Sequence, residues 1–155
     1  MKKTTATLKG IPLTLHLAES KDEKTAGYNS VPIRNGEGML FQFDALDWIP
    51  LDVSGLDKKL DALFLINGAV VSILQRMVDT GAHYGGFGNA VLEVPAGWTQ
   101  QNGIRVGDTL DCAELTKIEE KKVEEKIDLQ GAKKKQIDAQ INEAMDKKPS
   151  GRNRK

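Results

Sequence analysis

Two apolar runs of β-forming residues, Ala62-Leu63-Phe64-Leu65-Ile66 and Ala69-Val70-Val71-Ser72-Ile73-Leu74, are separated only by Asn67-Gly68. A two-residue connection between extended runs needs positive φ at both turn positions, and Asn followed by Gly adopts a type I′ turn with the least strain. An antiparallel hairpin is therefore expected here. An isolated hairpin is marginal in water, so it must join a larger sheet. Residues 90–110, AVLEVPAGWTQQNGIRVGDTL, complement it. An apolar edge at Val91, Leu92 and Val94 runs into a Pro95-Ala96-Gly97 break, and Ile104, Val106 and Leu110 resume a period of two around a Gly107-Asp108 turn. This stretch reads as the piece that closes a small β domain.

The N-terminal third supports the same class. TTATLK and IPLTLHL flank Gly10 and alternate polar with apolar, which predicts a hairpin or two short strands, with His16 on the solvent side. Ser20 with Glu23 forms a capping-box signature for a short helix ending near Gly27, and Met39 to Phe43 follows as a strand. Asp44 to Leu60, with Pro50, Gly55 and many charges, reads as a loop with a helical turn, with Trp48 folded back over the core. HYGGFGNA reads as a flexible glycine-rich loop. The expected fold is mainly β (α+β), a small barrel-like or sandwich-like domain with one short helix and a C-terminal helical tail.

After Cys112 the composition changes. Residues 114–148 lack aromatics, are rich in Glu and Lys, and place Val123, Ile127, Gln130, Lys134, Ile137, Ile141 and Ala144 in a heptad frame interrupted by Gly131. So polar a helix needs a docking surface to be stable. The expected division is a compact body over 1–113, a charged helical tail over 114–148 and a disordered basic end over 149–155. The 22 basic and 22 acidic residues balance, but 12 of the basic ones lie after residue 113, five of them in the last ten residues. Affinity for an anionic partner is therefore assigned to the extreme C-terminus, and nucleic-acid binding is limited to weak nonspecific phosphate contact there.

No constellation specifies a reaction. Two histidines and one cysteine, Cys112, are too few for a closed metal site, and Asp47, Asp52 and Asp57 lack the alternate-residue spacing of a calcium loop. Cys112 has no basic neighbour in sequence to activate it and reads as a small core residue. GGFG lacks the lysine and hydroxyl of a phosphate loop. No cofactor or metal is expected. A lone cysteine and the lack of a signal-like apolar run near the start point to the cytoplasm, and no window is apolar enough to span a membrane.

GYNSVPIRNGEGMLFQF, LDALFLINGAVVSI and VLEVPAGWTQQNGIRVGDTL together resemble the signature blocks of domain-of-unknown-function family 192, a group of small, mainly β proteins, over about residues 11–110. The resemblance implies a fold and no activity. The family's Trp-Met-x-Asn-Thr stretch should fall between Phe43 and Leu60, where no Asn-Thr pair occurs, and Gly85 follows Tyr84 where the family usually has proline. Signal-less members resemble proteins encoded by bacteriophages, which permits a virion component.

Two functions fit these features. The first is a non-enzymatic structural or protein-interaction module, docked on a partner protein or a second copy through residues 114–148, with Val123, Ile127, Ile137, Ile141, Arg152, Arg154 and Lys155 as contact residues, joined by Trp98 if that side chain anchors a partner rather than plugging the end of the barrel. The second is a small-ligand or weakly enzymatic pocket in the loops 44–57, 81–89 and 97–103, with His83, Tyr84 and Asp108 within reach of one another.

Overall fold

The computed structural model describes residues 1–131. Seven strands form one curled sheet in the order β5-β4-β6-β3-β2-β1-β7, comprising β1 (Lys2–Leu8), β2 (Ile11–Ala18), β3 (Glu37–Leu51), β4 (Leu60–Ile66), β5 (Ala69–Met77), β6 (Tyr84–Pro95) and β7 (Leu110–Asp111). Two short helices, α1 (Lys21–Ala26) and α2 (Trp98–Gln101), and a 3-10 turn at Tyr28–Ser30 lie between strands. The β4–β5 hairpin turns on Asn67 and Gly68, both at positive φ, with Ile66 paired to Ala69. The fold is mainly β and half-barrel in form.

The stretch before β7 brings the two sheet edges together. Thr109 bridges Ala69, Val70 donates to the Asp108 carbonyl at 2.9 Å and Leu110 to the Gly68 carbonyl at 2.8 Å, while β7 pairs with β1. Inside the curl lies an aliphatic core that includes Leu8, Leu13, Leu15, Leu17, Leu40, Leu63, Leu65, Leu92 and Leu110, plugged by Trp98 and Ile104. Against the outer face, α1, the 3-10 turn and the loop after β3 cover a second cluster, with Met39, Phe41, Ile49, Leu60, Phe64, Val91 and Tyr28.

Coverage of both faces overturns several expectations drawn from alternation. Asp44 to Leu51 is no loop: it continues β3, with residues 43–46 bulging against the single residue Asn89 before Asp47 to Leu51 pair with Tyr84 to Gly88. The glycine-rich segment is likewise strand. A Cβ at Gly86 would collide with the Phe64 ring, and one at Gly85 would come within 2.5 Å of the Trp48 indole, so these glycines make room for neighbouring rings. Trp48 is 60% exposed rather than folded over the core, whereas Trp98 is 4% exposed and packs inside it. His16 is buried, not solvent-facing, with Nε2 lacking a hydrogen bond and 3.7 Å from the Glu37 carboxylate.

The chain divides into a unit over Met1–Ile118 and a second beginning at Glu119. The first continues past Ala113 because side-chain amides stand in for a neighbouring strand. Gln42 donates to the Glu114 carbonyl and accepts from the Thr116 amide, Asn89 donates to the Thr116 carbonyl, and Asn67 both donates to and accepts from Ile118. Leu115 packs on the inner core. In the second unit residues 120–131 are helical. Among the described residues no helix is long and apolar enough to cross a membrane.

Candidate functional site

The expected pocket does not assemble. His83 is exposed and lines a shallow depression with Asp52, Ser54 and Asp79, and the Tyr84 hydroxyl lies 3.5 Å from Thr80 Oγ1. Asp108 is fixed elsewhere: its carboxylate accepts from the Arg105 amide at 2.7 Å and its carbonyl bonds β5 at Val70. Tyr84 starts β6, while the Val70 end of β5 is connected through Leu65 to Ala90, six residues further along β6. At 3.3 Å per residue that is a separation of roughly 20 Å. Loops 44–57 and 81–89 meet through the β3–β6 pairing, and 97–103 lies beyond the other end of β6.

Of the two readings of Trp98 the plug agrees with the structure: the indole is part of the inner core and unavailable to a partner. Val123 is half-buried and Ile127 is 48% exposed. Ile137, Ile141, Arg152, Arg154 and Lys155 lie outside the described residues, as do most of the 114–148 tail and the 149–155 end.

A cavity that the sequence reading did not single out lies on the outer face. Its volume is about 360 Å³, within the range of small-ligand sites. Phe41 of β3, Leu60 of β4 and Val91 and Glu93 of β6 line it from the sheet; Lys24 of α1 and Tyr28 line it from the covering segment; Phe43, Ile49 and Asp52 are also in its wall. The β3 bulge puts Phe43 where Lys24 can lie over it, the ammonium 4.8 Å from the ring centroid while donating to the Gln42 carbonyl at 2.8 Å. The roof is tied at its start by the Ser20–Glu23 capping box, realised in both directions.

The distinctive group is Glu93. It stands between Met39 and Ala62 across the ladder, on the face that carries Val91, and is 8% exposed. Among the described residues nothing donates a hydrogen bond to its carboxyl, and burial alone pushes its pKa up to about 7. Burial, Glu93 and Asp61 together raise the Tyr28 hydroxyl above its ordinary value.

Asp61, also buried, has the opposite environment. Its carboxylate accepts from the Arg76, Gly97 and Thr99 amides and, at 2.6 Å, from the Thr99 hydroxyl. Those bonds lock α2 to β4 and occupy both oxygens, so Asp61 anchors structure. Cys112 is buried in the inner core, with its thiol pushed up chiefly by burial.

Residues 3–112 match the family described as DUF192, an uncharacterized ACR. No curated protein matches the sequence. A solved structure from Sinorhizobium meliloti 1021, described as a candidate transcription regulator, is similar with a TM-score of 0.67 and 25% identity, over 74% of this chain and 96% of that one. A protein of unknown function from Novosphingobium aromaticivorans DSM 12444 has the same fold, with a TM-score of 0.63 and 22% identity over 71% of this chain and 85% of that one. The family model matches across nearly the whole body, residues 3–112, and on that match the chain belongs to domain-of-unknown-function family 192.

Proposed function

We propose that this protein is a non-enzymatic binding module whose body is fastened to a larger assembly, a virion or a homo-oligomer in the cytoplasm, through the segment that follows Ile118. The observation that carries this reading is the ladder of Gln42, Asn89 and Asn67 amides along residues 114–118. Side chains from three different places on the body hold the chain as far as Ile118, so the point at which it leaves the body is fixed, as attachment requires. Ile127 and Leu129, each 48% exposed in the helical stretch, supply apolar surface for a partner. The thiol of Cys112, buried and raised, is the reverse of an activated nucleophile.

The test compares the full chain with a version ending at Ile118 by light scattering after size exclusion. Cutting there keeps the amide ladder, whereas a cut after Ala113 would also strip it. The full chain is expected to self-associate or to retain a co-purifying protein, and the shortened chain to run as a clean monomer. Identical masses and identical bound proteins would remove the proposal. A mass difference abolished by moderate salt, with nucleic acid in the full-length peak, would favour phosphate contact by the basic end instead.

A further inference from the structure

The amide ladder and the tail leave the outer-face cavity unexplained. Glu93 is more than nine-tenths buried and its carboxyl has no donor among the described residues, so its ionisation raises the energy of the folded chain. A sheet optimised for packing alone would carry Val, Leu or Met there, as its neighbours Val91 and Met39 do.

We propose that the cavity binds a small organic cation, a primary ammonium on a short apolar or aromatic stem, with Glu93 receiving the ammonium and Phe41, Phe43 and Tyr28 enclosing the stem. Three features select this class. The titratable groups lining the cavity are Glu93 from β6, Asp52 after β3, Lys24 from α1 and Tyr28; Lys24 is already engaged by the Gln42 carbonyl and the Phe43 ring. The two carboxylates oppose an anionic ligand. Aromatic walls favour a cation over a neutral head group of the same size. A cavity of about 360 Å³ also has room for a phenylethyl stem, since a water molecule in the liquid takes up about 30 Å³. The charge of Asp61 also acts on Tyr28, but Asp61 does not line the cavity and its oxygens are occupied by α2 and β5.

The pH dependence has a definite sign. The ammonium needs the ionised form of Glu93, which predominates above about pH 7, so binding strengthens as pH rises from 6 to 8 while the amine itself stays protonated.

Phenylethylamine, 2-phenylethanol and 3-phenylpropanoate should be titrated into the full chain and followed by calorimetry and by the NMR signals of Phe41, Phe43 and Tyr28. At pH 8 the amine is expected to bind most tightly and the carboxylate not at all. Glu93→Gln should weaken the amine by at least about tenfold and leave the alcohol within about twofold. In the unsubstituted protein the amine affinity should drop about tenfold from pH 8 to pH 6, following the ionised fraction of a group titrating near 7. That series needs no variant and holds if Glu93→Gln does not fold. An amine that binds no better than the alcohol, binding indifferent to pH, or no perturbation of the three ring signals at millimolar probe would overturn the proposal. None of these outcomes bears on attachment through the tail.

Discussion

The inner and outer faces of this sheet, built from the same strands, solve burial in different ways. The inner face is almost wholly aliphatic, and the carboxylate at its margin, Asp61, has four donors. On the outer face the cluster is richer in aromatic side chains and roofed by short elements, and its buried carboxyl, Glu93, has no donor among the described residues. One fold can therefore satisfy a buried carboxylate fully on one side and leave one bare on the other. The contrast separates a residue that holds the structure together from one that burdens it.

The largest effect should fall on the inner face. Leu92→Ala empties a site with no solvent exposure and should cost about 4 kcal/mol in denaturant unfolding. Asp61→Ala leaves the Arg76, Gly97 and Thr99 amides and the Thr99 hydroxyl without their acceptor, and should cost about 3 kcal/mol with loss of hydrogen-exchange protection around α2. A mild effect there would mean the two carboxylates are not as different as the geometry makes them.

Glu93→Gln should have the opposite sign. A native pKa of about 7 against an ordinary value of 4.5 means that the folded chain holds a proton the unfolded chain has released. The stabilising contribution of the neutral carboxyl is complete below about pH 4.5 and lost as pH rises through about 7. Above that pH the variant should therefore be more stable than the parent, by up to about 3 kcal/mol, and near pH 4 the two should be equal. Smallest of all, Ser20→Ala removes the cap of the helix that roofs the cavity and should cost about 1 kcal/mol, loosening α1 while the inner core keeps its protection.

Local turn chemistry in the sequence reports the inner architecture well. Asn67-Gly68 and Gly10 mark hairpins, and the Gly107-Asp108 turn marks the closure, because positive φ and short connections leave few alternatives. The outer face was harder to read because alternation identifies strands only where one side meets water. His16 looks solvent-facing by period, yet it lies buried beside Glu37. Gly85 and Gly86 look like a loop until the Trp48 and Phe64 rings against them are known. Trp48, read as a lid, is exposed for the same reason, while Trp98 fills the plug position open to it at the Pro-Gly corner: which side of a strand is covered depends on what lies opposite, which no local pattern encodes. Glu93 did leave a trace, as the single charged residue within Ala90-Val91-Leu92-Glu93-Val94, a run too apolar for a strand with a wet face.

Titrating the Glu93 carboxyl by carbon-detected NMR in the full chain tests the central contrast most directly. A midpoint near pH 7 is expected, shifting downward when phenylethylamine is added; a midpoint near 4.5, unchanged by the amine, would refute the contrast.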